Sequence, residues 1–135
     1  MKEIVLDAVI DNIHAATDFV DAELEALDCP MKAQLQLDVA IDEVFTNIAS
    51  YAYPDGGGTA TVRFDFDADA RTVRVAFIDS GVLFDPLKKA DPDVTLSAEE
   101  RSIGGLGIFM VKKTMDGMYY ERRDGMNVLT IEKKI

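Results

Sequence analysis

The amino-acid sequence predicts an α+β fold, a two-layer sandwich with helices packed on one face of a mixed, mostly antiparallel sheet. Two helical patterns come first, two alternating strand patterns follow with a short connection, and a glycine-opened helix and a hairpin end the chain. A length of 135 residues, with no linker and no internal repeat, predicts a single domain over 1–135.

The first elements are a short strand at 3–6 and two amphipathic helices at 10–27 and 31–51. The sequence Asp28-Cys29-Pro30 separates the two helices. The second helix is stopped by Pro54 and three glycines. Its apolar residues form one stripe, and its polar residues lie mostly on the opposite side. The apolar stripe consists of Leu37, Ile41, Val44, Ile48 and Ala52, and the polar side of Asp38, Asp42, Thr46 and Ser50.

The strands are predicted by residues that alternate between apolar and polar at 60–66 and 73–79. Their connection is too short for a crossover, so the two strands should pair antiparallel. After a glycine-opened helix at 104–115, strands at 119–122 and 128–133 form a hairpin around Asp124-Gly125.

The net charge, the cysteine content and the N-terminal residues argue against several classes of function. The 14 Lys and Arg residues against 25 Asp and Glu give a net charge of −11, which disfavours direct binding of nucleic acid and favours a basic partner. Cys29 is the only cysteine, so an internal disulfide is impossible and a reducing compartment is expected. The N-terminal residues resemble neither a signal peptide nor a membrane span, and we expect a cytoplasmic protein.

Glu43 and Asn47 stand one turn apart on the second predicted helix. They lie roughly 40° apart around the axis, so both side chains project from one flank beside the apolar stripe. An amide oxygen can ligate Mg²⁺, and a carboxylate can accept a proton from a hydroxyl or from water. An ordinary surface pair is the alternative for these two residues alone.

Asp79 ends the second alternating strand and is followed by Ser80 and Gly81. An acid at a strand end, with a glycine that lets the chain turn sharply, can present its carboxylate to an amino group of a ligand. A plain Asx turn is the alternative.

The glycine cluster Gly104-Gly105-Leu106-Gly107 opens the last predicted helix, where free backbone N–H groups can bind phosphate. The cluster fits neither the Walker pattern nor the dinucleotide fingerprint, and a flexible hinge is the alternative. The preceding twenty or so residues contain Pro86 and Pro92 and lack a periodic pattern, which favours a lid.

These motifs, taken in their order, give the sequence a resemblance to a known superfamily. It resembles the ATPase domains shared by gyrase, Hsp90, histidine kinases and MutL, which have the Bergerat or histidine-kinase-like ATPase fold. It is most similar to the small anti-sigma-factor serine/threonine kinases of bacterial partner-switching systems. The segments that carry the resemblance are DEVFTNIASYAYP, FIDSGVLFDP, SIGGLGIFMVKKTMD and YYERRDGMNVLTIEKK, at 42–54, 77–86, 102–116 and 119–134.

The resemblance implies a role for each residue of the site. Glu43 would be the general base that takes a proton from a protein hydroxyl, and Asn47 would ligate the Mg²⁺ that bridges the phosphates of ATP. Asp79 would accept a hydrogen bond from the adenine amino group, and Gly81 would let the base lie close. The segment 83–103 would be the ATP lid, and its Arg101 a clamp for the γ-phosphate, with a solvated charge as the alternative. The phosphates would be bound by the glycine box, which comprises Gly105, Leu106 and Gly107.

The resemblance also implies partners: an anti-sigma-factor antagonist protein as the phosphate acceptor and a sigma factor as a second partner, with a homodimer left open. The first hypothesis is therefore a serine/threonine kinase that uses ATP and Mg²⁺. A second is a nucleotide-gated protein-binding regulator with little or no phosphotransfer. A third is an interaction protein that has lost nucleotide binding, against which Asn47, Asp79 and the glycines count.

Overall fold

The strands form one open sheet in the computed structural model of the protein, which describes residues 1–88 and 105–135. In chain order the strands are β1 (Lys2–Asp7), β2 (Thr59–Asp67), β3 (Thr72–Asp79), β4 (Gly117–Arg123) and β5 (Met126–Lys134). Their order across the sheet is β1-β2-β3-β5-β4, and each of the four pairings is antiparallel. The predicted α+β class is confirmed, and the described strands contain no parallel pair.

Three helices in the described part of the chain, α1 (Ile13–Ala26), α2 (Met31–Asn47) and α3 (Gly105–Thr114), pack on one face of this sheet. Because successive side chains of a strand point to opposite faces, alternate residues of β2, β3 and β5 meet the helices. Their buried side chains form one apolar core with the inner stripes of the helices. The largest fully buried members are Leu24, Leu37, Ile41, Phe45, Phe77 and Ile131.

Helix α2 changes its winding as it leaves the core. The predicted helix at 31–51 is α-helical only to Asn47 and continues as a π-helix over Ile48–Ala52. The wider turn keeps Ile48 and Ala52 buried and leaves Tyr51 half exposed. Single π turns inside helices are frequent at functional sites, and this one follows Asn47 directly.

The turn of the β4–β5 hairpin lies at Asp124-Gly125, as predicted. Asp124 and Gly125 both have positive φ, 53° and 76°. This is the conformation of a type I′ turn, which suits the twist of antiparallel strands and favours Asp-Gly. The turn sets the register of β4 against β5 and so brings Asn127 opposite Arg122.

Within the described ranges, none of the helices is both long enough and apolar enough to cross a membrane.

Two carboxylates face each other between α1 and α2. Asp38, expected on the polar outer side of α2, instead lies half-buried against Asp21 of α1. The Oδ1 atom of each is buried, and within the described residues no N–H or hydroxyl group donates a hydrogen bond to it. Burial, the hydrogen bond with Asp21 and the charges of Asp21, Asp18 and Glu25 raise the pKa of Asp38 to about 7. A shared proton therefore relieves the repulsion in the folded state.

The pKa of Asp38 is raised in the folded protein above its ordinary value of 3.8, so the folded state binds this proton more tightly. The stability gained from the proton is present at acidic pH and is lost as the pH rises to about 7. Asp38→Asn should therefore stabilise the protein at pH ~8, on the order of 1 kcal/mol after allowance for solvent screening. It should change little at pH ~5, where the native carboxyl is already protonated.

Thermal unfolding at the two pH values measures this difference. Asp42→Asn is the matched control, since Asp42 is an exposed residue of the same helix. An equal rise of Tm at both pH values for Asp38→Asn would contradict the shared proton.

Candidate nucleotide-binding site

A cavity lies between the C-terminal part of α2 and the ends of β3, β4 and β5. Its enclosed free volume is about 30 Å³, and about 400 Å³ of empty space lies within it when the open mouth is counted. Most of its lining is apolar, and the polar lining side chains are Asn47, Asp79, Tyr120 and Asn127. The apolar lining is formed by Val44, Ile48, Ala52, Phe77, Phe84, Pro86 and Leu129.

Asp79 is the buried acid of this cavity, 5% exposed. Its Oδ1 accepts hydrogen bonds from the backbone N–H of Gly81, at 2.9 Å, and from Nδ2 of Asn127, at 3.0 Å. Within the described residues no hydrogen bond reaches Oδ2. A carboxylate oxygen is a hydrogen-bond acceptor, so Oδ2 is the atom suited to accept a hydrogen bond from a ligand amino group.

Asn127 is a site residue that the sequence did not indicate. Its side chain is 5% exposed and holds the loop after β3 at several points. Nδ2 donates to the carbonyl of Val82 at 2.8 Å, and Oδ1 accepts from the N–H of Phe84 at 3.4 Å. Oδ1 also accepts from the hydroxyl of Tyr120 at 2.6 Å. A single asparagine in a strand forms no local sequence pattern that would mark it as functional. Only the register of β3 with β5, which pairs Asp79 with Asn127, brings it to Asp79.

Burial raises the pKa of Tyr120, so its hydroxyl stays protonated and donates to Asn127. With Oδ1 accepting from Tyr120 and Phe84, Nδ2 is left to face Asp79. Arg122 secures the same loop by donating from Nη1 to the carbonyl of Gly81 at 2.8 Å. The hairpin of β4 and β5 therefore fixes the orientation of the Asp79 carboxylate.

Gly81 is required by close packing. A methyl group on its Cα would lie 2.3 Å from the carbonyl oxygen of Ala52, at the end of the π-helix. The N–H of Val82 donates to that same carbonyl at 2.8 Å. Gly81 itself does not line the cavity, so its observed contribution is the tight turn and the hydrogen bond to Asp79.

Glu43 of α2 lies against the first turn of α3, the helix that begins at the glycine cluster. A methyl group on the Cα of Gly107 would come within 2.0 Å of Oε2 of Glu43. Glu43 is half-buried and stands one turn before Asn47, which lines the cavity. The two residues thus share the flank predicted from their spacing, with Asn47 at the cavity and Glu43 at the start of α3.

An aromatic pair flanks the cavity. The rings of Tyr51 and Phe84 have centroids 6.1 Å apart and planes inclined by 33°. Phe84 lines the cavity, and Tyr51 remains half exposed. The π-helix directs Tyr51 to this position, and this part of the cavity is aromatic.

The predicted glycine box is only partly covered by the structure. Gly105 begins α3, and Leu106 follows in its first turn. Arg101 and most of the predicted lid lie outside the described residues, which include its first part with a 3-10 turn at Pro86–Lys88. The placement of the clamp and of the lid therefore stays a prediction.

The residues present fit a nucleotide bound with Mg²⁺. Oδ2 of Asp79 is an acceptor suited to an amino group of a base, and the apolar side chains of the cavity suit the faces of a base. The described residues contain no cluster of three acidic, His or Cys side chains that could hold a metal by themselves. One amide oxygen, from Asn47, suits an ion whose other ligands come from phosphates and water, the usual situation for Mg²⁺ at nucleotides.

The family model of the histidine kinase-like ATPase domain matches residues 6–133, and the chain belongs to that family.

Among curated proteins, the chain is similar to the serine/threonine-protein kinase BtrW of Bordetella bronchiseptica, with 29% identity over 100 residues. That match covers 74% of this chain and 70% of BtrW. It is also similar to the serine-protein kinase RsbW of Bacillus cereus, with 34% identity over 95 residues, 67% of this chain. The chain spans 58% of the length of that RsbW.

Solved structures show the same fold. A structure of RsbU and RsbW domains from Mycobacterium tuberculosis matches 99% of this chain and 32% of its own, with 14% identity and a TM-score of 0.65. The histidine kinase domain of the blue-light activated kinase of Erythrobacter litoralis matches 78% of this chain and 46% of its own, with 16% identity and a TM-score of 0.54.

Asn127→Ala should destabilise the protein by about 2 kcal/mol, because it removes buried partners of Asp79, Val82 and Tyr120. It should also speed amide hydrogen exchange at Gly81 and Phe84, which the Asn127 network holds. Tyr120→Phe removes one hydroxyl and should cost about 1 kcal/mol. Urea unfolding and residue-resolved exchange measure both effects. Unchanged exchange at Gly81 and Phe84 in Asn127→Ala would show that Asn127 does not hold the loop.

Proposed function

We propose that this chain is an ATP-dependent serine/threonine protein kinase of an anti-sigma-factor partner-switching system. It phosphorylates a small antagonist protein, sequesters a sigma factor and works as a single cytoplasmic domain with ATP and Mg²⁺. The similarity to BtrW and RsbW, both named protein kinases, supports this proposal.

The observation that carries the proposal is the position of Glu43. Its carboxylate lies beside Gly107 at the start of α3, and Asn47 one turn on lines the cavity that contains Asp79. Glu43, the candidate base, thus lies next to the N-terminus of α3, which is suited to bind phosphate. Asn47, the amide, lies at the cavity that is suited to bind adenine. A protein that only bound nucleotide would need no general base there.

The proposed reaction moves the γ-phosphoryl group from ATP to the hydroxyl oxygen of a serine or threonine. The bond from the γ-phosphorus to the bridging oxygen breaks, the bond to the hydroxyl oxygen forms, and ADP leaves. Glu43 takes the hydroxyl proton. When bound, Mg²⁺ neutralises phosphate charge and aligns the groups, and Asn47 would hold it. Such transfer depends on positioning and charge stabilisation more than on covalent help from the protein.

The second candidate is a regulator in which the nucleotide sets the affinity for a partner without transfer. The half-buried state of Glu43 against Gly107 is the observation that allows it, because the acid then serves to pack α3 against α2. The two candidates differ in one measurable event, the appearance of phosphate on a partner.

We expect Glu43→Gln to lower phosphotransfer by roughly a hundredfold or more, because the amide cannot accept the hydroxyl proton. ATP affinity should stay within a few-fold, since the substitution preserves size. Asn47→Ala should remove the Mg²⁺-dependent part of ATP affinity. The assay incubates the purified chain with γ-labelled ATP, Mg²⁺ and a candidate small antagonist protein from the neighbouring genes, and titration calorimetry gives the affinities.

Asp42→Asn serves as the matched control, because Asp42 is the exposed neighbour of Glu43. ATP binding without label on any antagonist would favour the regulator. The absence of binding heat, with and without Mg²⁺, would favour an interaction protein without nucleotide. Label transfer that persists in Glu43→Gln would remove Glu43 from the role of base.

Asp79→Asn should weaken ATP binding at least about tenfold. Gly81 and Asn127 both donate to Oδ1, so the amide oxygen of the variant would take that place and its NH₂ group would replace Oδ2. A donor would then face the donor amino group of adenine. Guanine carries an acceptor oxygen at that position, so the loss should be smaller for GTP.

Calorimetry with ATP and GTP measures this change of selectivity. Asp69→Asn, in the exposed turn at the opposite end of β3, is the control. An equal loss for both nucleotides, with an unchanged Tm, would mean that Asp79 does not read the base.

A further inference from the structure

The outer face of α2 carries an unusual set of exposed apolar side chains. Met31, Leu35 and Val39 are 68%, 56% and 57% exposed and follow one another at intervals of four residues. We call these three residues the α2 ridge. Contiguous exposed apolar groups mark interaction sites more often than solvated surface.

The exposed residues of the neighbouring helix, α1, differ in character from those of α2. Helix α1 packs on the same face of the sheet, and its exposed positions include His14, Asp18, Ala22 and Glu25. These residues are polar or small, as water-facing positions usually are. Packing of the core therefore does not account for apolar residues on the outer face of α2.

The α2 ridge runs directly to the proposed catalytic base. Four-residue steps continue from Val39 to Glu43 and then to Asn47, and each step advances about 6 Å along the helix and turns roughly 40° around it. Along this row of residues, the side chains of the α2 ridge are thus exposed, whereas Glu43 and Asn47 are half-buried at the site. A protein lying on the ridge would have to extend a loop about one helical turn beyond Val39 to reach Glu43.

From this continuity we propose that the α2 ridge is the docking surface for the protein that supplies the hydroxyl to Glu43. The acceptor protein would place an apolar patch on the ridge and its serine or threonine one helical turn further on. This inference rests on the proposed kinase function and names the contact that selects the substrate.

Charge and size favour an acceptor protein over a second copy of this chain. The chain has a net charge of −11, so two copies repel each other, and exposed Asp42 adjoins the ridge. The ridge offers on the order of 300 Å² of surface, far less than the roughly 800 Å² per partner of a stable interface. A small contact suits a substrate that must leave after each transfer. The partner should carry basic groups beside its apolar patch.

The test uses the full chain and the antagonist protein that the transfer assay labels. The double variant Leu35→Gln/Val39→Gln removes apolar side chains, keeps the charge and places a good helix former at both positions. Its KM for the acceptor should rise about tenfold or more, with kcat at saturation and ATP affinity within twofold of the native values. Val5→Gln is the matched control, because Val5 is 59% exposed and alternates with Ile4 and Leu6, which pack on the core.

The outcomes separate the two proposals. Labelled acceptor with an unchanged KM in the double variant would overturn the docking surface and leave the kinase in place. A lower kcat with an unchanged KM would also overturn it. A dimer in light scattering that the double variant converts to monomer would assign the ridge to a second copy. No label on any antagonist would refute the kinase and, with it, an acceptor at the ridge.

Discussion

The rotational setting of α2 is the constraint on which the rest of the site depends. Leu37, Ile41 and Phe45 are fully buried against the sheet and allow the helix only one face toward the core. Because the helix is rigid, that choice decides where every other residue of α2 points. Glu43 and Asn47 must then lie at the border of the core, beside α3 and the cavity. The same setting turns Leu35 and Val39 outward.

The Asp79 end of the site depends on a second kind of constraint, a buried carboxylate whose orientation must be held by hydrogen bonds. Asp79 can be buried, with 5% of it exposed, because Gly81 and Asn127 donate hydrogen bonds to one of its carboxylate oxygens. That arrangement directs the other oxygen to the cavity. The network is supplied by β5 and by Tyr120 of β4, strands that come last in the chain. The last hairpin therefore completes a site whose acid was placed by β3.

The site and the surface around it support one account of activity. In the proposed kinase, the acid beside the start of α3 would accept the hydroxyl proton, the amide one turn on would hold Mg²⁺, and Asp79 would accept a hydrogen bond from the base of the nucleotide. The acidic surface disfavours nucleic acid and favours partners with basic groups. The α2 ridge adds a means of choosing among such partners. A regulator without transfer would share the cavity, and phosphate on a partner separates the two.

Local patterns in the sequence determined the element types, the fold class and the flank shared by Glu43 and Asn47. Strand alternation and helical spacing depend on residues close in the chain, so they can be read without knowledge of the rest. The Asp124-Gly125 turn is equally local. Only the tertiary structure brought Asn127 to Asp79, since that contact depends on the register of β3 with β5 across 48 residues of chain. Likewise, only the packing of α1 on α2 placed Asp38 against Asp21 and left the α2 ridge uncovered. Periodicity specifies which residues share a face, but contacts between distant elements decide what that face meets.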